Sequence, residues 1–512
     1  MNNNKKQIKL GAILSYTSIA VNIIAGLIYT PWMIDQIGEA SYGLYTLANT
    51  LITLFLIDFG LSSATSRYVA KYRAEGNQEK VDNFLGVVYK LYMIIDAIIF
   101  VALIVMYLLI DVIYVKLTPV EIEQFKVVYI IAASFAVINF PFVTFNGILN
   151  AYEKFIQMKL ADLIYRILLV GMTVVALILG YGLYALVAVH AIVGLIVIVY
   201  KFIILKKSTP VKVNIKYSDK SLYKDLLGFS IWVTVFSLSQ RLIFNITPTV
   251  LGVVANSVAI AVFGIVTTIE GYSFTVTNAI NGMFMPKIAR IYAADEENGD
   301  INPLLLKVGK FQYIINGLIV TGFAVVGKLF IDLWVGSEFK MAYYGILLVL
   351  IPGLFYNSLQ IANTAMIVRK KVKIKAIVNV IMGVINVILS FIFSYFFGVV
   401  GACLSIFVAY MFRAIALNII YKKVLKVNIG AFIKQCYLRM SIPMALGVGI
   451  GILADFLIPF TGWIQFIIIG CITSAVYLLG VLLFGINKQE KTQIFGAVKK
   501  ILGKFIKKKH KG

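Results

Sequence analysis

Leu226–Val253 reads LLGFSIWVTVFSLSQRLIFNITPTVLGV, an apolar run with one charge, Arg241, near its middle. A helix needs about 20 such residues to cross the roughly 30 Å hydrocarbon layer of a bilayer, so this stretch spans a membrane. An arginine at the centre of a membrane helix costs about 2.5–3.5 kcal/mol on insertion scales and therefore faces protein or water. At helical spacing Arg241 lines up with Ser230, Thr234, Ser237 and Asn245. Polar groups every three or four residues over four turns predict a wet cavity beside this helix.

The rest of the chain is of the same kind. Hydrophobic residues make up 61% of the 512, charged residues only 14%, far too apolar for a soluble globule. Apolar segments recur from Leu10 to Ile486, and about fourteen spans are read, starting near Gly11, Tyr42, Gly86, Phe125, Leu160, Leu183, Leu226, Val258, Phe311, Tyr343, Ala376, Val399, Met440 and Trp463. The expected fold is an all-α polytopic membrane protein. The first apolar segment is too long for a signal-peptide core and should stay as a helix.

The formal charge of +24 is sorted by membrane side. Odd-numbered connections carry few basic residues, Lys116, Lys126, Lys328 and Lys340, whereas even-numbered connections and both termini carry most of the rest. The positive-inside rule then puts both termini in the cytoplasm, and a nucleic-acid partner is not needed to explain the charge. In the tail, Ile494, Val498, Ile501, Leu502 and Phe505 recur at helical spacing among lysines. This reads as an amphipathic helix on anionic inner-leaflet lipids. Cys403, Cys436 and Cys471 have no paired spacing, so no disulfide framework or metal site is expected.

The two halves of the chain repeat each other. Pro141-Phe-Val-Thr-Phe-Asn146 answers Pro352-Gly-Leu-Phe-Tyr-Asn357, and the basic exit Arg67-Tyr-Val-Ala-Lys-Tyr-Arg73 answers Lys287-Ile-Ala-Arg-Ile-Tyr-Ala293. Pro31 answers Pro248, and Gly182-x-x-Ala185 answers Gly398-x-x-Gly401. Four matches in one order indicate duplication. Six spans per repeat return the chain to its starting side, so the lobes should be related by a pseudo-twofold axis along the membrane normal. The reading is an N-terminal lobe at 1–205, a lysine-rich cytoplasmic linker at 206–225, a C-terminal lobe at 226–438, two extra helices at 439–486 and a basic tail at 487–512.

Span one carries a second polar stripe, Ser15, Ser18 and Asn22, the repeat partner of the Arg241 helix. Small polar residues also serve plain helix packing, and both readings stand. Asp58 and Glu270 are intramembrane carboxylates suited either to neutralising Arg241 or to carrying a coupling proton or sodium ion. Asp162 and Arg166, one helical turn apart, are expected to pair with each other. Arg413, near the inner end of span twelve, is expected to snorkel. Asp96 has no evident partner, and His190 reads first as a hydrogen-bonded structural residue. Gly447-Val-Gly-Ile-Gly451 lacks the strand and the Lys-Ser/Thr of a nucleotide loop and reads as a packing surface.

Taken together, the fourteen-span pattern, Pro31, Gly38-Glu-Ala-Ser-Tyr-Gly-Leu-Tyr45, Asp58-Phe-Gly-Leu61 running into Ser66-Arg-Tyr-Val-Ala-Lys71, and Pro141-x-x-x-x-Asn146 resemble the Wzx-type lipid-linked oligosaccharide flippases. These form the polysaccharide-transporter branch of the MOP exporter superfamily, whose fold is MATE-like. The resemblance implies a bacterial inner-membrane protein with two six-helix lobes around a cavity lined largely by helices one, two, seven and eight, working by alternating access. It implies an undecaprenyl-pyrophosphate-linked oligosaccharide as substrate and a polysaccharide polymerase as a partner. On that footing Arg241, helped by Arg67 at the inner mouth, would hold the pyrophosphate. Ser15, Ser18, Asn22, Ser230, Thr234, Ser237, Asn245 and Asn281 would be the polar groups of the cavity.

Three competing functions share parts of this pattern. A MATE-like multidrug or cation antiporter would want an anionic, more aromatic cavity, and a lipid II flippase would share most of the features above. A membrane enzyme would need an acid, base or nucleophile cluster, for which the short odd-numbered connections leave little room. No cofactor is implied beyond a coupling proton or sodium ion.

Overall fold

The computed structural model describes residues 2–56, 58–278, 284–295, 299–369, 371–487 and 490–492, and its regular elements are all helices. The first repeat runs α1 (Asn2–Ile37), α2 (Glu39–Phe55), α3 (Leu61–Ala74), α4 (Gln78–Ile113), α5 (Pro119–Asn139), α6 (Thr144–Ala151), α7 (Phe155–Ile178) and α8 (Gly182–Ser208). The second runs α9 (Lys220–Phe244), α10 (Ile246–Val254), α11 (Ser257–Asn278), α12 (Met285–Ala294), α13 (Asn302–Trp334), α14 (Lys340–Asn357), α15 (Gln360–Val368) and α16 (Val372–Leu425). The short α17 (Ile429–Phe432), then α18 (Arg439–Leu457) and α19 (Gly462–Gly480), follow.

Among the described residues, ten helical segments are long and apolar enough to cross a membrane. One of them, α16, has 54 residues, a rise of about 80 Å at 1.5 Å per residue, and must cross twice. It breaks at Gly398, where φ is +54°. With α1, the α2–α3 pair and the α9–α10 pair, the count reaches the fourteen read from the sequence. Gly182, the repeat counterpart of Gly398, also has a left-handed φ, +60°. Only glycine takes that conformation without a Cβ penalty, so both repeats use the same device to open their sixth span.

The chain packs as two compact units. The first draws on 1–279, 344–349 and 370–413, the second on 280–343, 350–369 and 414–512. In the first unit α2 and α11 meet through glycines: a Cβ at Gly43 would collide with the Ser257 carbonyl, and one at Gly264 would sit 3.0 Å from Thr46 Oγ1. Nearby, the Ser257 hydroxyl donates to Glu121, which also closes a capping box with Thr118 at the start of α5. Arg413 is wholly buried here, with Nη1 donating to Gln240 at 3.1 Å. The expectation that it snorkels is therefore corrected, because an amide on α9 gives the guanidinium a partner inside the protein.

The lysine-rich linker is strapped to the first turns of α4. Lys212 N donates to Asp82 Oδ1 at 2.8 Å, Asn214 N to the Asp82 carbonyl at 3.0 Å, and Lys90 Nζ to the Tyr217 carbonyl at 3.1 Å. The strap lies so close that a Cβ at Gly86 would strike the Asn214 carbonyl.

In the second unit Gly447 and Gly451 seat α18 against Thr321 and Val325 of α13 and against α19, as a packing surface should. Lys310, 5% exposed, pairs with Glu490 at 2.9 Å and ties the start of the tail to α13. The rest of the tail helix lies outside the described residues.

Candidate functional site

Two cavities that carry polar groups are stacked inside the first unit. The first, about 410 Å³, is lined from α1 by Asn22, Tyr29, Thr30 and Met33, from α2 by Tyr42 and Tyr45, and from α7 by Arg166, Leu169 and Thr173. Leu186 and His190 of α8 and Thr267, Thr268, Gly271, Tyr272 and Thr275 of α11 complete it. The second, about 460 Å³, lies between α2, α5, α6, α7 and α8 and holds Asn49, Asn139, Asn146, Asp162, Tyr165, His190 and Lys201.

Helix direction fixes their order. Along α2 the residues pass from the first cavity (Tyr42, Tyr45) to the second (Asn49 to Leu56) on leaving the turn at Ile37–Glu39. Along α8 they pass from Leu186 and His190 to Val187 through Lys201. Along α7, which runs the other way, the order reverses, Ala161 to Tyr165 lining the second cavity and Arg166 to Thr173 the first. The Arg166 cavity therefore lies nearer the α1–α2 turn and the Lys201 cavity farther from it. His190 lines both.

Arg166 is the cation of the first cavity. Its Nη2 donates to the Asn22 carbonyl at 3.3 Å, and its Nε is enclosed without a hydrogen-bond partner. Tyr29, Tyr45, Tyr165 and Tyr272 all lie within its electrostatic reach. Among the described residues, no aspartate or glutamate lines this cavity. The expected Asp162–Arg166 pair does not form: Asp162 instead takes Lys159, three residues away, at 3.2 Å. The shorter ion pair on the same helix captures the carboxylate and leaves the guanidinium to the cavity.

In the second cavity Lys201 Nζ donates to Asn146 Oδ1 at 2.9 Å, giving the asparagine of the repeated Pro-Asn motif a partner. His190 is hydrogen-bonded to Tyr165, as a structural histidine should be, but it also faces both chambers.

The sequence-derived site residues distribute unevenly. Asn22 lines the Arg166 cavity. Arg241 is half-buried on α9 and lines neither cavity; its Nη1 is enclosed without a hydrogen-bond partner. No described carboxylate lies within 4 Å of it, and the opposite charge it feels is Asp58. Asp58 accepts hydrogen bonds from the Tyr92 hydroxyl and, at 3.3 Å, from Ser62 N. Glu270 is half-buried with no hydrogen bond or ion pair to a described residue. Thr234 is buried, Ser237 and Asn245 are half-buried on and just after α9, and Arg67 is exposed on α3. The side chains of Ser15, Ser18 and Ser230, and the whole of Asn281, lie outside the described residues. Asp96 is buried with Oδ1 unpartnered.

The sequence reading missed Arg166, the tyrosine ring around it and the double exposure of His190. A signal existed: Leu169 and Thr173 follow Arg166 at i+3 and i+7, extending one face of α7.

A helical, multiply membrane-crossing protein with a cation-bearing polar chamber inside its bundle has the build of a membrane transporter. Its fold matches the lipid II flippase MurJ in an inward closed conformation, at TM-score 0.71 and 17% identity over 93% of this chain and 98% of that one. It also matches an inward-facing multidrug resistance MATE transporter of the MOP superfamily, at TM-score 0.66 and 16% identity over 83% and 99%. A MOP superfamily transporter from Pyrococcus furiosus, described as having a binding pocket of reverse polarity, matches at TM-score 0.58 and 16% identity over 84% and 96%. No curated protein sequence matches the chain. Residues 8–292, more than half of the chain, match the family described as polysaccharide biosynthesis protein, and the chain belongs to that family.

Proposed function

We propose that the protein is a flippase that moves undecaprenyl-pyrophosphate-linked oligosaccharides from the inner to the outer leaflet of the bacterial cytoplasmic membrane, by alternating access, for surface polysaccharide biosynthesis. Both termini are cytoplasmic in this reading, and the α1–α2 turn faces outward.

The observation that carries it is the Arg166 cavity. One guanidinium with an enclosed, unpartnered Nε stands in a chamber of hydroxyls and aromatic rings whose described lining holds no carboxylate. A guanidinium binds phosphate oxygens through paired, charge-assisted hydrogen bonds. Tyr29, Tyr45 and Tyr272 offer flat faces and hydroxyls to sugar rings, and Thr173, Thr267 and Thr268 offer further hydroxyls. At about 410 Å³ the chamber falls within the roughly 300–1,000 Å³ typical of small-ligand sites, enough for the headgroup and the first sugar rather than a whole glycan. We assign Arg241 and Arg67 to earlier capture of the pyrophosphate, with Asp58 and Glu270 as candidate groups for proton or sodium coupling. A polysaccharide polymerase is the expected consumer of the flipped unit.

A guanidinium in a chamber whose described lining holds no carboxylate favours an anionic cargo over the cationic drugs of a MATE-like antiporter. A lipid II flippase would use the same headgroup chemistry.

The test is the leaflet location of lipid-linked oligosaccharide in cells lacking the gene and complemented with Arg166→Ala. Loss of charged hydrogen bonds of about 1.5–3 kcal/mol corresponds to roughly 10- to 150-fold weaker binding. The oligosaccharide should accumulate on the inner face at normal protein levels. Normal polymer output from Arg166→Ala would remove this residue from the mechanism. Unchanged lipid distribution with altered drug tolerance would favour the exporter, and loss of viability on deletion would favour lipid II.

A further inference from the structure

His190 lines both cavities, and among the described residues Arg166 is the one arginine or lysine that lines the first cavity with it. Tyr165 Oη lies 3.0 Å from Nε2 and 3.1 Å from Nδ1, and its single hydrogen can serve only one ring nitrogen at a time. Tyr165 and Arg166 are consecutive on α7, so the residue that holds the imidazole and the residue that offers the cation move as one piece. We infer that Arg166 and His190 form a linked site in which an anion on the guanidinium and a proton on the imidazole are taken up together. This deepens the flippase reading and rests on its premise that Arg166 binds an anion.

The coupling between the two groups is electrostatic and has a definite sign. With Arg166 bare, a proton on His190 would create a second positive charge on the wall of the same cavity, which both residues line. Like charges at close range in a partly dehydrated site repel far more strongly than in water. A phosphate or sulfate dianion on Arg166 replaces that repulsion with attraction, so binding the anion favours the imidazolium. Linkage is reciprocal, and the imidazolium must then tighten the anion by the same factor.

The other groups facing His190 do not reverse the sign. Asp162 lies in the second cavity but is paired with Lys159, and Lys201 adds a positive charge on that side. Tyr29 of α1, Tyr42 and Tyr45 of α2 and Tyr272 of α11 are neutral phenols near pH 7, and α5 contributes only Asn139 as a polar group. Histidine is the side chain that titrates between about pH 5 and 8. The chain has two, and the second, His510, belongs to the tail.

Full-length protein in nanodiscs provides the test, with inorganic sulfate as probe because that dianion does not itself titrate near neutral pH. Sulfate affinity is measured by calorimetry at about pH 6 and about pH 8. It should be severalfold higher at the lower pH, with a ceiling of about tenfold per pH unit for one linked proton. Runs in buffers of different ionisation enthalpy should show up to one proton taken up per sulfate. His190→Gln should bind sulfate with no pH dependence, and His190→Asn serves as a second neutral variant should the first unfold. Arg166→Gln should lose binding at both pH values. Sulfate bound through Arg166 with equal affinity at both pH values, or a pH dependence that survives in the histidine variants, overturns the linkage and leaves the anion site standing. Sulfate binding unaffected by Arg166→Gln, or absent from the native protein, overturns the anion site and the linkage with it.

Discussion

At the scale of single residues, the outcome turns on which carboxylate reaches which cation. Asp162 has candidate partners at i−3 and i+4 and is found with Lys159, and that choice frees Arg166. Arg166→Lys keeps the charge but replaces a planar fork with a point charge, so it should lie between wild type and Arg166→Ala in polymer output per molecule of protein. Equal output from Lys and Arg would mean that charge alone matters and that no paired phosphate contact is made. Local sequence could not decide this. The i,i+4 rule sees one helix, whereas the Arg166 chamber is assembled from α1, α2, α7, α8 and α11. Arg241 shows the opposite bias: its apolar setting made it conspicuous in the sequence, yet the chamber residues that surround Arg166 come from helices that look ordinary one at a time.

At the scale of elements, duplication was legible in the sequence and its physical form was not. Arg73, at the end of α3, donates to the Ala151 carbonyl and stacks over Tyr152, just past α6, at 3.9 Å. In the second repeat the roles exchange. Arg369, just past α15, stacks over Tyr292 of α12 at 5.4 Å and donates to the Val424 carbonyl at 2.7 Å. Each repeat pins the ends of its second and fourth spans with one guanidinium on one phenol, drawn from opposite partners, so an alignment of residue types does not find it. Exchanging the residues as Arg73→Tyr with Tyr152→Arg should retain more thermal stability than either single change, whereas additive losses would show that the ring contact contributes nothing. The linker makes a second prediction. Because its backbone lies against Gly86, Gly86→Leu should dislodge the strap and increase tryptic cleavage at Lys212 and Lys216, with Gly86→Ala intermediate. A cleavage pattern identical to wild type would mean that the strap is not held by this contact.

At the scale of the whole molecule, hydropathy and charge carried most of the reading, for a physical reason. A bilayer forces every backbone polar group into helix, so span number and class follow from apolar length alone. The chamber does not follow, because it depends on side-chain faces meeting across helices far apart in sequence. Sidedness lies between these extremes, since it rests on the lysine and arginine asymmetry of the connections. Cys403 and Cys436 are buried, so a Cys471→Ser background gives a chain whose described thiols are shielded. Single cysteines can then be placed at Lys116, between α4 and α5, and at Lys207, near the end of α8. A membrane-impermeant maleimide applied to intact spheroplasts should label position 116 and spare 207 until the membrane is opened. The reversed pattern would invert every span, turn the α1–α2 turn and the Arg166 chamber toward the cytoplasm, and require headgroup loading at the opposite end of the cavity stack. With the expected pattern, the Lys201 cavity lies on the cytoplasmic side of His190 and the Arg166 cavity on the outer side, the order in which a headgroup loaded from the cytoplasm would have to meet them.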